Sequence, residues 1–413
     1  MNEVASMARA AMGSQVVRLR RRRYFLLRIG DETTLDIARF FRGEISTQRN
    51  AQGWLLCPIT GRELPITADE LQLVMTLPVE TWLECQPERD TRMLDLSRRG
   101  ILLSDPPAYG WEQLATGEQT LEQAHWLDVA AVYHTHSRWQ AVEGGDVLLK
   151  LDSDQQREHL ESLLNTHGNP PPHFVERADA AGRVQLQPPV MNGAFFDTLM
   201  ARRTTRAFRT NEALPRIALE QMLYAVFGTH GIKHLAPGVA AIKRTSPSGG
   251  GLHPIEAYVL PIHVEGIPTG LYHYEAASHS LAELERMDIQ SARNLASAFM
   301  AGQTYFAEAH ALVIHVARFD RNFWKYAQHR KAYGVVLMDS GHLSQTFYLT
   351  ATHLGLGAFY TAAINDVDIA ERLRLPPGRE AAIGINGVGL PMKGQDELHF
   401  VPEPYEPNRK ENR

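Results

Sequence analysis

The most informative stretch of this chain is Arg244-Thr-Ser-Pro-Ser-Gly-Gly-Gly-Leu-His-Pro-Ile-Glu256. It places a Pro-Ser corner and three glycines directly before the apolar run 257–262, which predicts a β-strand. Glycine has no Cβ, so three in a row let backbone amides approach a flat or anionic ligand closely. The stretch therefore predicts a ligand-binding loop, and an ordinary tight turn before a strand is the alternative interpretation.

A second segment, Met200-Ala-Arg-Arg-Thr-Thr-Arg-Ala-Phe208, follows a predicted helix that starts near Asn192 and carries apolar residues on one face. Its three arginines offer fork-shaped cationic donors, and its two threonines offer neutral hydroxyl donors. This combination suits a phosphate monoester. The alternative is a solvated basic helix end that the helix dipole favours.

Two further segments complete the pattern. Phe323-Trp-Lys-Tyr-Ala-Gln-His-Arg330 precedes a long amphipathic stretch that predicts a helix over residues 334–354. Gly355-Leu-Gly357 then ends this helix before the apolar run 358–363. The Lys325-Tyr326 pair is a candidate for acid–base chemistry, and a lysine stem lying beside a core tyrosine is the alternative.

In this order and at these distances, the four segments resemble the flavin-dependent nitroreductase superfamily. Within it they resemble the SagB-type dehydrogenases that mature thiazole- and oxazole-containing peptides. The resemblance covers about residues 190–395, and Ala130-Ala-Val-Tyr-His-Thr-His136 is similar to this group more loosely. The chain departs from the pattern after Tyr333, where relatives tend to have an arginine and this chain has Gly334. No role of that arginine in the relatives is therefore assigned to a residue of this chain.

The resemblance implies an α+β fold, a nitroreductase-like sandwich with a central antiparallel sheet flanked by helices. It also implies a homodimer that binds FMN, with the Pro-Ser-Gly loop contributed by the partner subunit. The implied cofactor residues are Arg202, Arg203, Thr204 and Arg206 at the phosphate and ribityl end, Pro247, Ser248, Gly249 and Gly250 against the isoalloxazine, Gly355, Leu356, Gly357, Thr361 and Ala362 at its N1, O2 and N5 edges, and Lys393 at the phosphate.

The implied reaction is the oxidation of an azoline ring to an azole in a modified precursor peptide, with a cyclodehydratase as the partner enzyme. Lys325 or Tyr326 would remove a ring proton as the hydride leaves. A lysine or phenol with an ordinary pKa near 10 is mostly protonated at neutral pH, so the surroundings of such a base must lower that pKa.

Two other functions remain open from the sequence. An NAD(P)H-dependent nitro- or quinone reductase would share the flavin site but would not need the N-terminal extension of roughly 190 residues. A flavin-free subunit that docks the peptide or the cyclodehydratase would need neither the flavin nor the base.

Composition excludes several classes of protein. The 413 residues are 44% hydrophobic and 22% charged, with a net charge of −5, which gives no reason to expect nucleic acid binding. The basic run Arg18-Leu-Arg-Arg-Arg-Arg23 is followed by only four apolar residues, too few for a signal peptide. Without an apolar stretch of about 20 residues, no membrane span is expected. The sequence therefore predicts a cytoplasmic protein.

The predicted domains are an N-terminal region, residues 1–185, and an FMN-binding catalytic domain, residues 186–413. The N-terminal α/β part at about 16–100 resembles, loosely, winged-helix modules that grip a leader peptide. A scaffolding role is the alternative. Asn169-Pro-Pro-Pro172 interrupts the chain before the boundary.

Hydrophobic patterns predict further elements on both sides of that boundary. Helices are predicted at 34–41, 121–131, 215–227 and from a cap at Asn365 or Asp366 to Leu373. Strands are predicted at 23–28, 54–58, 257–264, 311–317 and 381–388, and a hairpin from 271–274 and 280–284.

Three other polar residues were candidates for chemistry. His134 and His136 form a His-x-His pair, but no carboxylate or thiol lies nearby at zinc-ligand spacing, which favours structural or substrate-facing roles. Asp339 has no partner near it in sequence that would make an acid–base pair.

Overall fold

The structure is a computed structural model of the 413-residue chain. It describes residues 16–35, 47–86, 88–144, 153–174, 177–187 and 189–392. Lys393 and most of the helix predicted at 34–41 lie outside the described residues, and residues 34 and 35 end a strand.

Within this part of the chain there are fourteen β-strands and eleven α-helices. The strands are β1 (Val17–Arg21), β2 (Leu26–Leu35), β3 (Thr47–Leu56), β4 (Glu63–Ile66), β5 (Leu83–Cys85), β6 (Leu102–Asp105), β7 (Gly231–Ala236), β8 (Val239–Lys243), β9 (Ile255–Pro261), β10 (Gly270–Glu275), β11 (Ser280–Arg286), β12 (Ala311–Arg318), β13 (Gly357–Thr361) and β14 (Glu380–Gly389). The helices are α1 (Ala68–Thr76), α2 (Thr91–Arg98), α3 (Gln113–Gln123), α4 (Asp128–His136), α5 (Ser153–His167), α6 (Ala194–Ala201), α7 (Arg216–Phe227), α8 (Ile289–Phe299), α9 (Phe319–Lys325), α10 (Ala332–His353) and α11 (Asp366–Leu373).

The chain divides into two compact units. The first comprises residues 1–138, 318–335 and 375–381, and the second comprises residues 139–317, 336–374 and 382–413. The chain therefore passes between the units several times. The division of the sequence at residue 185 stays a prediction.

The first unit contains two three-stranded antiparallel sheets, with strand orders β5-β1-β6 and β2-β3-β4. Helix α1 begins at a capping box, in which Thr67 accepts from the backbone N–H of Glu70 and the Glu70 carboxylate accepts from the backbone N–H of Thr67. This cap fixes the start of the helix, and Val74 on its inner face is fully buried with Leu55 and Leu96.

One arginine of the basic run 18–23 is buried inside the first unit. Arg22 is buried, and its guanidinium lies 3.4 Å from the Glu118 carboxylate and donates to the Gly100 carbonyl oxygen at 3.0 Å. The same carboxylate accepts from the backbone N–H of Arg23 and of Tyr24. A buried charge is tolerated when it is paired and hydrogen-bonded in this way.

The prediction of one continuous helix over residues 121–131 is wrong. Helix α3 ends at Gln123, and α4 begins at Asp128. Between them His125 has a φ of 58°, which turns the chain and buries Trp126, whose indole N–H donates to the Gly378 carbonyl oxygen at 2.7 Å. Burial of this large aromatic residue outweighs the continuous helical pattern.

The second unit is built on a six-stranded sheet with the order β11-β10-β9-β12-β14-β13. The pairs β10–β11, β9–β10, β9–β12 and β13–β14 are antiparallel. Seven of the eight residues of the central strand β12 are buried, because the sheet is covered on both faces there. The α+β fold with a central antiparallel sheet is therefore confirmed.

The local predictions in this unit hold with small shifts of their ends. Strands β9, β12 and β14, the hairpin β10–β11 and helices α7, α10 and α11 lie where the patterns placed them. Helix α10 contacts the sheet through hydroxyl groups as well as apolar side chains. Ser340 lies 2.9 Å from Nδ1 of His315 on β12, and the Asn386 amide on β14 donates to Ser344 at 3.3 Å.

Candidate functional site

Helix α10 holds the glycine-rich loop through a buried carboxylate. Asp339 accepts a hydrogen bond from the Ser248 hydroxyl at 2.5 Å and from the Gly249 backbone N–H at 3.0 Å. The Ser248 hydroxyl oxygen in turn accepts from the His253 backbone N–H at 2.9 Å. Charge-assisted bonds of this kind are stronger than neutral ones, so Asp339 fixes the loop conformation.

The glycine-rich loop is also attached to α10 through Ser246, two residues before Ser248. Ser246 is buried, and its hydroxyl lies 2.6 Å from the Thr346 hydroxyl of α10. Beyond it, Gly250 has a φ of 64° and Gly251 a φ of 69°, a conformation that favours glycine. Pro247 and Gly250 are exposed. The anchored loop therefore presents its corner and its glycine backbone to the surroundings.

The arginine segment packs against Tyr348 of α10. The Arg202 guanidinium carbon lies 5.4 Å from the centroid of the Tyr348 ring, and the Thr204 hydroxyl lies 3.2 Å from the Tyr348 hydroxyl. Arg203 is exposed. Within the described residues, the buried Nε of Arg206 has no hydrogen-bond partner. A buried guanidinium donor without an acceptor is costly, and an anion would satisfy it.

The strand after α10 completes this arrangement. The Thr205 backbone N–H donates to the Ala358 carbonyl oxygen at 2.8 Å, which joins the arginine segment to β13. A Cβ on Gly357 would lie 2.6 Å from the Thr205 side chain, so only glycine permits this approach. The segments 202–206 and 355–362 are therefore brought together.

The end of this segment is fixed by a glutamine that the sequence patterns did not indicate. Gln303 is buried, and its amide donates to the Thr361 hydroxyl at 3.3 Å and to the Ala363 carbonyl oxygen at 2.9 Å. Gly355 and Ala362 are exposed at the two ends, and Leu356 is half-buried. The backbone N–H groups of Gly355 and Leu356 donate within the chain, to the carbonyl oxygens of Thr352 and Ala351.

The glycine-rich loop and the arginine segment contact opposite sides of α10. Asp339 and Thr346, which hold the loop, are seven residues apart, roughly two turns at about 3.6 residues per turn. Tyr348, which contacts the arginine segment, is nine residues from Asp339, roughly two and a half turns. Within one chain, the two segments therefore lie against different faces of the same helix.

Helix α6, which leads into the arginine segment, has an exposed apolar face. The predicted apolar residues are on it, but none of its eight residues is buried. Phe195 is 66% exposed and Met200 is 74% exposed. Exposed apolar side chains grouped in this way are typical of a surface that another molecule covers.

The Lys325-Tyr326 pair lies in the first unit, at the end of α9, whereas the three segments above lie in the second. Lys325 is exposed, and its Nζ lies 5.5 Å from the centroid of the Tyr326 ring. Tyr326 is half-buried. Helix α9 is held through Phe319 and Phe323, which pack against the indole of Trp126.

His134 belongs to the same aromatic cluster. Its Nδ1 lies 3.2 Å from the Tyr333 hydroxyl, and its ring centroid lies 5.0 Å from that of Phe319. Burial lowers the pKa of His134 to about 3. No group of three His, Cys, Asp or Glu side chains in the described part of the chain could hold a metal ion. A packing role for His134 follows from these contacts.

A second buried histidine makes stability depend on pH. Burial lowers the pKa of His315, whose side chain is fully buried, to about 3. The unfolded chain takes up this proton near its ordinary pKa of about 6.5, so stability is fully present above that pH and falls as the pH drops towards 3. We expect a loss of about 1.4 kcal/mol per pH unit from this group between pH 6 and pH 4.

Urea unfolding of the wild type and of His315→Gln at several pH values tests this expectation. The substitution should reduce the pH dependence by about that slope. The exposed His167→Gln is the matched control and should leave the dependence unchanged. An equal slope in His315→Gln and the wild type would contradict the assignment.

The chain is similar in sequence to known proteins of one family. Residues 199–390 match the nitroreductase family. A nitroreductase of Methanocaldococcus jannaschii is 30% identical to this chain over 179 residues, which cover 43% of this chain and 83% of that protein. The chain belongs to the nitroreductase family. The arginine segment, the glycine-rich loop and β13 all lie within the matched range.

Two further relatives of this nitroreductase-family chain are named for peptide processing. The trifolitoxin-processing protein TfxB of Rhizobium leguminosarum bv. trifolii is 31% identical over 166 residues, covering 39% of this chain and 43% of TfxB. The microcin B17-processing protein McbC of Escherichia coli is 28% identical over 147 residues, covering 34% of this chain and 52% of McbC. The matched part thus spans about half of each of these two relatives.

The residues of the second unit fit the flavin that this family generally uses. The buried Nε of Arg206 lacks an acceptor among the described residues, which suits a phosphate. A Cβ on Gly357 would meet Thr205, so the backbone of β13 lies directly against the arginine segment. No helix in the described ranges is both long and apolar enough to span a membrane.

Proposed function

We propose that this chain is an FMN-dependent dehydrogenase that oxidises azolines to thiazoles or oxazoles in a ribosomally made precursor peptide. The observation that carries the proposal is that a nitroreductase-family chain has two relatives named for processing trifolitoxin and microcin B17. The geometry of the second unit supports it, because three segments with anion-binding and backbone-donor character are held on and beside one helix.

In this proposal each segment has its own role in binding or in the reaction. Arg202, Arg203, Thr204, Arg206 and Lys393 bind the phosphate and ribityl end, and Pro247, Ser248, Gly249 and Gly250 pack on the ring from the partner subunit of a homodimer. The backbone from Gly355 to Ala362 donates where the ring gains negative charge on reduction. When bound, FMN would supply the acceptor for the hydride that leaves the azoline carbon. Lys325 or Tyr326 removes the proton from the neighbouring carbon.

The substrate chemistry implies a partner. An azoline forms when a cysteine, serine or threonine side chain closes onto the preceding carbonyl carbon with loss of water. We therefore propose that a cyclodehydratase supplies the modified precursor peptide.

Purified protein is expected to be yellow and to release FMN on denaturation. Arg206→Ala should weaken FMN binding by about 2–3 kcal/mol, roughly 30- to 150-fold, because it removes a charged hydrogen bond to the phosphate. Fluorescence titration of the apoprotein with FMN measures this change.

Arg216→Ala is the matched control for that titration. Arg216 is ten residues further on, and it pairs with Glu220 at the surface, a contact worth about 0–1 kcal/mol. The control should bind FMN like the wild type. A colourless protein that cannot be reconstituted with FMN would remove the oxidoreductase function altogether.

The similarity to the Methanocaldococcus jannaschii nitroreductase supports a second candidate, an NAD(P)H-dependent nitro- or quinone reductase. This enzyme would use the same flavin segments but would not need Lys325 and Tyr326. Oxidation of an azoline peptide with dioxygen as the acceptor, in the absence of NAD(P)H, separates the two activities. Rapid NAD(P)H-dependent reduction of nitroaromatics without azoline oxidation would favour the second.

A further inference from the structure

The hairpin β7–β8 leads directly into the glycine-rich loop. Its two strands pair with each other in an antiparallel, two-stranded sheet, and β8 ends at Lys243, three residues before Ser246. The base of the hairpin is fixed, because the His230 N–H donates to the Lys243 carbonyl oxygen at 2.8 Å and the Thr245 hydroxyl donates to the Ala225 carbonyl oxygen of α7 at 2.6 Å. The hairpin therefore stands in a defined place next to the loop.

Strand β7 is the exposed side of this hairpin. All six of its residues are exposed, including Ile232 at 61% and Leu235 at 59%. In the described part of the chain β7 pairs only with β8, so its outer row of backbone N–H and C=O groups faces away from any strand. An edge of this kind accepts an extended chain as an added strand.

The charge of the hairpin favours an acidic segment as the added strand. Between Glu220 and Glu256 the chain has no acidic residue and three basic ones, Lys233, Lys243 and Arg244. Lys233 and Lys243 are exposed. Two such edges repel each other, which disfavours pairing with a second copy of the chain, whereas an acidic segment is attracted.

We propose that the outer edge of β7 binds an acidic, extended segment of the peptide substrate as an added β-strand. This inference rests on the function proposed above. Six residues of strand span roughly 20 Å at about 3.3 Å per residue. Backbone hydrogen bonds along β7 hold the segment regardless of its sequence, and its acidic side chains contact the lysines. The neighbouring Pro-Ser-Gly loop then receives the part of the peptide that follows.

Fluorescence anisotropy with labelled model peptides tests the proposal on the full-length protein. The probe is a fluorescein-labelled peptide of six Glu-Thr repeats, compared with six Lys-Thr repeats and with a Glu-Thr peptide N-methylated at every residue. N-methylation removes the donor and blocks the backbone approach. We expect the Glu-Thr peptide to bind at least tenfold more tightly than either comparison peptide, and to protect the amides of β7 from hydrogen exchange.

Lys233→Glu should lose the preference for the acidic peptide, and Lys331→Glu, which changes an exposed lysine outside the hairpin, should keep it. Equal affinities for the three peptides would overturn the proposal. So would protection of β7 amides that rises with protein concentration when no peptide is present, because a second copy would then cover the edge.

These outcomes are separate from those of the proposed function. Peptide binding is measured without turnover, and Lys233→Glu is expected to retain FMN and the oxidation of a small azoline that carries no peptide. Failure of the wild type to oxidise that small azoline would count against the dehydrogenase and leave the docking result intact.

Discussion

A chain carrying both Lys325→Met and Tyr326→Phe is expected to turn over an azoline roughly 10²–10⁴-fold more slowly than the wild type, with its FMN content and oligomeric state unchanged. Both replacements keep shape and apolar bulk, so a packing role would leave turnover nearly unaffected. A base that removes a ring proton would be lost. We expect the larger single effect at Lys325, together with a solvent isotope effect.

The exposed Lys331→Met is the matched control, since it removes a lysine only six residues away. It should leave the rate and its pH profile unchanged. Single-turnover absorbance of the flavin, followed at several pH values, separates the chemical step from product release. Full azoline oxidation by the double variant would return Lys325 and Tyr326 to a structural role.

The second large effect is recovery of FMN binding in a mixed dimer. Arg206→Ala lacks the phosphate donor, and Ser248→Asp places a carboxylate against Asp339 and displaces the loop. At an FMN concentration that leaves both homodimers empty, a heterodimer of the two variants should bind one FMN per two chains. The two segments contact opposite faces of α10, which is the arrangement expected if each site takes one segment from each subunit.

Two different affinity tags allow the heterodimer to be isolated and its flavin to be counted. The Ser248→Thr variant, which keeps the hydroxyl that Asp339 accepts from, is the matched control and should bind FMN as a homodimer. If verified heterodimers bind no FMN, the arginine segment and the loop act within one chain.

Much of the second unit could be predicted from the sequence because its signals are local. The apolar runs of β9 and β12, the long amphipathic stretch of α10 and the glycines after it depend on neighbours within a few residues. The arginine segment and the glycine-rich loop were also visible as compositions with a defined chemistry. Their assignment to FMN depended on resemblance to a family.

The contacts that hold those segments could not be predicted. Asp339 and Ser248 are 91 residues apart, and Gln303 and Thr361 are 58 apart, so no local pattern joins them. The hairpin β7–β8 was also missed. All six residues of β7 are exposed and four of the five residues of β8 are half-buried, so the hairpin lacks the alternation of buried and exposed residues that marks a strand on a core.

The break between α3 and α4 was missed for a different reason. The helical pattern is continuous there, but the burial of Trp126 and its bond to Gly378, which is 252 residues away, favour a turn at His125. Arg22 is a similar case in a charged residue. Its burial depends on an ion pair with Glu118, which is far from it in the sequence.

The attachment of the loop and the arginine segment to one helix has a consequence for ligand cooperativity. In the proposed dimer, each α10 would connect two sites, because Tyr348 contacts the arginine segment of one site and Asp339 holds the loop of the other. A displacement of α10 caused by one FMN would therefore reach the second site. The two FMN affinities of a dimer should be coupled, and a titration that resolves the first and second binding steps should show it.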